Sequence, residues 1–434
     1  MEEKNVSKMK ETNTKLYSIY KMIGLDWIFY YGIKILFLTQ VKEISVSNII
    51  LSVSFYSLCF IIFSMFNRCI INKIGKKESI VLGQFLNLTS MTLILFCPNF
   101  VWLLVAELTH AVGNSFKGIS ETSLMKISLP ETNEKGETFA KVESKGYSKF
   151  CYIGALTTLV SGFLYVVNPY IPIVCCMIVN LFAVFISMKF VDIEQLQNDE
   201  VESLKSKSNV KNGVIKDLKE DFKFVFGSKR LHTLMILLGT LFGIISIFAL
   251  YQEVLLIQLD ILPYYIGAIL AGFQLLVGIF SNTANKFNDK FTNHSLTYIG
   301  LIFTTGSILL GVTTRLNIEF KLLLIVILFV FIARAYSKGV FQVLKNRYMN
   351  NFANNEVLPK IYLVNGIVSN FCVMIVGIVA SVILKMTVLS NALLILGTIM
   401  TLIVLILALY SKSRLGLKPE EYSGKDIEYK KVNN

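Results

Sequence analysis

The sequence predicts an all-α integral membrane protein with twelve transmembrane helices in two six-helix halves. Three observations carry this reading. The 434-residue chain has a mean hydropathy of +0.61, with 54% hydrophobic and only 16% charged residues, whereas soluble domains carry about 25% charged residues. Apolar runs of roughly 20 residues, the length a helix needs to cross the hydrocarbon core, recur twelve times. Finally, with both termini placed in the cytoplasm, 33 of the 42 Lys and Arg fall on the cytoplasmic side. Lys42, Arg315, Lys321 and Lys385 fall outside, and Lys34, Lys117, Lys149, Arg334 and Lys338 within spans. This is the positive-inside distribution of a membrane protein.

The spans follow in order near 17–39, 44–67, 78–97, 99–125, 139–167 and 170–190, then 231–257, 262–284, 295–314, 320–345, 358–384 and 388–411. They divide the chain into a cytoplasmic segment 1–16, a first half 17–190, a central loop 191–229, a second half 230–411 and a cytoplasmic tail 412–434. All seven prolines (Pro98, Pro130, Pro169, Pro172, Pro263, Pro359 and Pro419) fall in loops or at helix ends, where a missing N–H does least harm. The polar start, Met1 to Leu16, leads directly into a full-length span, so no cleaved signal peptide is expected. Within the central loop, Val214 to Phe226 has the pattern of an amphipathic helix lying on the inner surface. The seven cysteines include no CxxC pair and read as packing residues.

The polar residues inside the spans are the informative ones. In span 4, Glu107, His110, Asn114, Lys117 and Glu121 recur at helical spacing and form one stripe. Charge at membrane depth is expensive unless it faces a bundle interior or a wet cavity, so the stripe marks a passage or a buried network. Span 1 carries Asp26, Tyr30 and Lys34, span 7 carries Glu253, and span 10 carries Arg334, Lys338 and Gln342. At about 1.5 Å per residue, Asp26 and Lys117 lie at similar depth, as do Lys34 and Glu107. Two pairs are therefore expected, Asp26 with Lys117 and Lys34 with Glu107, each either fixing helix packing or lining the passage. Arg334 suits a carboxylate or phosphate because its planar fork binds two oxygens. His110 is suited to relay protons or to pack by hydrogen bonds. Glu121, Lys338 and Glu253 are near enough to an interface to snorkel, and Lys141, Glu143, Lys145 and Lys149 read as an inner rim. Small residues on span 5 (Gly154, Ala155, Ser161, Gly162) and span 8 (Gly267, Ala268, Ala271, Gly272) predict close helix contacts.

Several functions are excluded by what the chain lacks. The basic balance of +13 is explained by a surface facing anionic lipid, so no nucleic-acid partner is expected. Gly75-Lys76-Lys77 has Ile70 where a P-loop needs its first glycine, which argues against ATP. His110, His232 and His294 are far apart and no HExxH or Gly-x-Ser-x-Gly motif occurs, so neither a metal, a cofactor nor an enzyme is expected.

The two halves carry related loops. Asn72-Lys73-Ile74-Gly75-Lys76-Lys77 follows span 2, and Asp289-Lys290-Phe291-Thr292-Asn293-His294 follows span 8. With six plus six spans and a basic central loop, the chain resembles the major facilitator superfamily over nearly its whole length. The family loop has the form Gly-x-x-x-Asp-Arg-x-Gly-Arg/Lys-Lys. Here Lys73, Gly75, Lys76 and Lys77 match, while Arg68 replaces the first Gly and Asn72 the Asp; Asp289 keeps the carboxylate in the second copy. The resemblance implies a gating role for these loops, a central cavity lined by spans 1, 4, 7 and 10, and a multi-pass place in a bacterial cytoplasmic membrane.

Ser115-Phe116-Lys117-Gly118, Asn168-Pro169-Tyr170-Ile171-Pro172 and Gly416-Leu417-Lys418-Pro419-Glu420-Glu421-Tyr422 look like a bacterial branch related to drug-efflux carriers. Lys117 stands where that branch has Ser, Met125-Lys126 where it has Tyr-Asp, and Gly154 to Gly162 lacks the proline of the antiporter motif. The resemblance implies a secondary carrier working by alternating access, in the first instance proton-coupled efflux of a small amphipathic compound. Uptake or exchange of an anionic metabolite at Arg334 and Lys338 is the alternative, and a non-transporting membrane partner or sensor is a third class.

Overall fold

The computed structural model describes residues 2–129, 135–192, 214–316, 318–351, 358–412 and 414–415; the tail motif at 416–422 and most of the central loop lie outside them. The described residues are helical, with no strand among them. In chain order the helices are α1 (Glu2–Gly24), α2 (Lys34–Leu36, running into a π turn Phe37–Val41), α3 (Val46–Ile74), α4 (Lys76–Leu95), α5 (Phe100–Ser128), α6 (Lys135–Val167) and α7 (Ile171–Met188). They continue with α8 (Val214–Gly227), α9 (Lys229–Gln258), α10 (Pro263–Ser281), α11 (Ala284–Phe291), α12 (Ser295–Arg315), α13 (Phe320–Asn351), α14 (Leu358–Met386) and α15 (Leu389–Ser411). A single 3₁₀ turn, Thr292–His294, joins α11 to α12.

Among the described residues, ten helical stretches are long and apolar enough to cross a membrane, and they match ten of the twelve expected spans. The other two depart for different reasons. Span 4 is a continuous helix, α5, but Glu107, His110, Asn114, Lys117 and Glu121 interrupt its apolar run. Span 1 is not one helix. The chain leaves α1 at Gly24 and resumes only at Lys34, so the even rise per residue assumed for Asp26, Tyr30 and Lys34 does not hold there.

Local chemistry explains the other boundaries. Asn99 caps α5 by accepting from the Trp102 N–H at 3.1 Å, and Ser228 caps α9 through the Leu231 N–H. Pro172 and Pro263 occupy first-turn positions of α7 and α10, where the ring fits the helix. The expected loop after span 2 shrinks to one residue: Asn72, Lys73 and Ile74 are still helical, and Gly75 alone, at φ 95°, turns the chain into α4. That left-handed conformation is open to glycine.

Packing divides the chain into two compact units. Unit 1 takes Met1–Glu43, Cys59–Leu218 and Pro263–Ala271; unit 2 takes Ile44–Leu58, Lys219–Leu262 and Gly272–Asn434. In unit 1, α4 and α5 cross where Gly83 meets Gly113, and Ser90 Oγ donates to the Ala106 carbonyl at 2.6 Å. A cluster of Tyr17, Tyr20, Ile80, Leu124, Met125, Leu129, Ala183 and Phe190 fills the space between α1, α4, α5 and α7. The exit from α7 is pinned: Asn13 exchanges two hydrogen bonds with Val191, and Asp192 accepts the Lys76 N–H at 2.6 Å at the start of α4, where a carboxylate suits the helix N-terminus. In unit 2, Tyr251 donates to the Ala380 carbonyl at 2.9 Å and Ser381 to the Ser47 carbonyl at 2.8 Å.

The small-residue reading separates into two outcomes. A Cβ on Gly162 would lie 2.8 Å from the Pro263 carbonyl oxygen and 3.2 Å from Gly267 Cα, a true backbone contact. Gly272 has nothing within 4 Å of the same position, so close packing does not account for it. Gly162→Ala is expected to lower stability by about 1–3 kcal/mol, whereas Gly272→Ala should be neutral or stabilising by about 1 kcal/mol. Thermal unfolding of both variants in detergent checks this; equal melting temperatures would contradict it.

Candidate functional site

The break in span 1 organises the polar residues of unit 1. Gly24 ends α1, the Asp26 carboxylate bends back to accept the Trp27 N–H at 2.7 Å, and Phe29 adopts φ 70°. A short acid bonding its own neighbour's backbone competes with helix continuation. Carbonyls freed at such a break must find donors inside the protein, because lipid offers none. Lys117 supplies them. Its buried ammonium donates to the Gly24 carbonyl at 2.5 Å and the Leu25 carbonyl at 3.4 Å, the favourable end of a helix for a cation.

The expected Asp26–Lys117 ion pair is therefore not formed. Lys117 is spent on backbone carbonyls, and Asp26 is exposed at the surface of unit 1. The Lys34–Glu107 pair is formed, at 3.1 Å, with Glu107 2% exposed. From Glu107 a polar line runs along α5. His110 Nδ1 lies 3.6 Å from the carboxylate, His110 Nε2 meets Asn114 at 2.9 Å, and Asn114 accepts from Asn87 at 2.9 Å. The Trp27 indole stacks on His110 at 3.7 Å between centroids, and the Trp27 ring also meets Tyr30, which is buried.

A second network escaped the sequence reading. Lys21 bridges Glu121 at 3.2 Å and Glu143 at 3.0 Å, Tyr20 donates to Glu121 at 2.7 Å, and Tyr17 donates to Glu143. Lys149 donates to Ser18 Oγ at 2.8 Å. Glu121 is thus a buried structural partner and does not snorkel. The charge distribution groups Lys21 with the cytoplasmic residues although it falls within the expected span 17–39; the structure buries it in the last turn of α1. Trp27 was the other omission, and its signal was direct: it is one of only two tryptophans and adjoins an acid inside a span.

In unit 2 the geometry is of another kind. Arg334 is fully buried, with its guanidinium carbon 5.4 Å from the Phe248 ring and 5.6 Å from the Phe303 ring. Nη2 donates to the Phe303 carbonyl at 3.0 Å and to Ser307 Oγ, while Nε and Nη1 have no hydrogen-bond partner among the described residues. Lys338 is half-buried with its ammonium 5.5 Å from the Phe273 ring centre, Gln342 is half-buried one turn on, and Glu253 is buried. Of the loop residues, Lys73, Asp289 and Lys290 are exposed and Gly75, Lys76 and Lys77 are partly buried, the last two through their N–H groups on Asp192. The Asn72 and Lys141 side chains lie outside the described residues. No group of three or more metal-ligating side chains occurs among the described residues.

A model of the Major Facilitator Superfamily matches residues 16–349. The chain belongs to that superfamily. Solved superfamily-fold structures agree over almost the whole chain. The nucleoside transporter NupG has a TM-score of 0.69 at 10% identity, covering 93% of this chain and 98% of that one. A D-xylose-proton symporter gives 0.66 at 12%, covering 93% and 96%, and a POT family transporter in complex with 5-aminolevulinic acid gives 0.64 at 12%, covering 94% and 95%. No curated protein sequence matches it. As a superfamily member the chain is a multi-pass membrane transporter of small molecules and not an enzyme.

The buried Lys34–Glu107 pair gives a stability test. Removing the lysine strands the buried Glu107 carboxylate, so Lys34→Met is expected to cost about 3–5 kcal/mol, while the apolar double replacement Lys34→Met with Glu107→Leu should recover most of the loss. Unfolding of the purified variants measures both, and a double variant as unstable as the single one would show that the pair is not the source.

Proposed function

We propose that this superfamily member is a secondary active carrier working by alternating access, in which inward proton movement drives export of a small amphipathic compound. The observation that carries the reading is Asp26. It is an exposed carboxylate within an expected span, on a non-helical stretch that also carries the buried Trp27 and the exposed Tyr31. A charge in such a place is retained for a partner that comes and goes. Glu107 is held by Lys34 and His110, and Glu121 by Lys21 and Tyr20, which leaves Asp26 as the acid of these spans open to a proton or a ligand.

Aromatic rings beside a carboxylate favour an amphipathic ligand with a polar or cationic group. Outward transport follows from the likeness of Ser115–Gly118 and Asn168–Pro172 to efflux carriers, and proton coupling is in keeping with the symporter among the structural relatives. In reconstituted vesicles, transport by the wild type should accelerate under an imposed pH gradient, and Asp26→Asn should remove that acceleration. Full gradient dependence in Asp26→Asn would rule out the assignment.

A second reading, uptake or exchange of an anionic metabolite, is favoured by Arg334. Its Nε and Nη1 are buried without hydrogen-bond partners, and no carboxylate lies within ion-pair distance among the described residues. A planar anion would complete that fork. Under this reading, Arg334→Gln with Lys338→Gln abolishes stabilisation by carboxylates and phosphates in a thermal-shift screen while leaving stabilisation by amphipathic cations intact. Unchanged anion binding removes the reading.

A further inference from the structure

The helix that precedes span 7 carries a feature that transport does not use. In α8, Leu218, Asp221 and Val225 share one face: Val225 is fully buried and Asp221 is tied to Lys360 of α14 at 3.4 Å. The adjoining face presents Lys219, Phe222, Lys223 and Phe226, which recur at i, i+3, i+4 and i+7 and line a shallow groove of about 470 Å³. The two lysines are exposed, Phe226 is 43% exposed, and the Phe222 and Phe226 rings stack at 5.8 Å.

The aromatic strip continues beyond the helix within unit 2. Phe226 stacks on His232 at 6.0 Å, His232 meets the Tyr410 ring at 5.9 Å, and the Arg414 guanidinium caps Tyr410 at 4.1 Å. A row of rings at the mouth of two spanning helices is thus bounded by Lys219 and Lys223 at one end and Arg414 at the other. Glu220 flanks this face without lying on it, and Asp221 is neutralised by Lys360. Rings beside the start of a spanning helix, with cations at their edge, match the two parts of a phospholipid.

We propose that this face is a binding site for an anionic phospholipid, with Lys219 and Lys223 holding the phosphate and Phe222 and Phe226 bearing on the glycerol and upper acyl region. The site is independent of which solute is carried. It differs from the general basic character of the inner surface in depending on two particular lysines.

The test is a thermal-unfolding titration of the full chain in detergent with phosphatidylglycerol, phosphatidylcholine or inorganic phosphate. Phosphatidylglycerol should raise the melting temperature saturably, and the other two should not. Lys219→Gln with Lys223→Gln should weaken the apparent affinity for phosphatidylglycerol roughly 30-fold, whereas Lys321→Gln with Lys385→Gln, which removes the same charge elsewhere, should leave it as in the wild type. Phe226→Ser should weaken it as well. The proposal is overturned if the Lys219/Lys223 variant binds as tightly as the wild type, if the two double variants lose affinity equally, or if inorganic phosphate reproduces the phosphatidylglycerol shift.

Discussion

The architecture of unit 1 turns on one cation. A spanning helix interrupted within the membrane leaves backbone carbonyls that lipid cannot satisfy. Lys117, reaching from α5, meets the carbonyls of Gly24 and Leu25 where α1 stops. The ammonium is stabilised by those oxygens, and the oxygens by it, so neither the break nor the buried lysine is tenable alone. The consequence reaches Asp26. Because Lys117 is engaged on the backbone, the acid expected to neutralise it is left open to its surroundings.

Much of this was legible in the sequence. Apolar runs and the charge asymmetry located the spans, because hydrocarbon thickness fixes helix length, and the stripe from Glu107 to Glu121 was visible by its period alone. The Lys34–Glu107 pair was legible from matched depth. The same arithmetic failed for Asp26, since it presumed an even rise per residue through a segment where Gly24, the Asp26 side chain and Phe29 abandon the helix. Lys21 is a different case: it lies inside the expected span, in the last turn of α1, and only the folded chain brings Glu121 and Glu143 to it.

The two units treat buried charge by different means. Unit 1 balances it in close networks, with Lys34, Glu107 and His110 in one and Lys21, Glu121, Glu143 and two tyrosines in the other. Unit 2 holds Arg334 between two aromatic faces, with one carbonyl and one hydroxyl as acceptors. Ring faces stabilise a cation without fixing it in a carboxylate's geometry, and Nε and Nη1 are left without hydrogen-bond partners among the described residues. No pattern in the sequence could distinguish these two solutions, because both place charged residues at helical spacing inside apolar runs.

The exit of α7 also bears on how the protein is made. Val191 is stitched to Asn13, and Asp192 to the N-terminus of α4 beside the Gly75 corner. The last residues of the first six spans thus fasten onto the first helix and onto the third span. A chain emerging from the ribosome cannot form these fastenings until residue 192 has been added. Closure of these contacts is therefore tied to the completion of the first six spans.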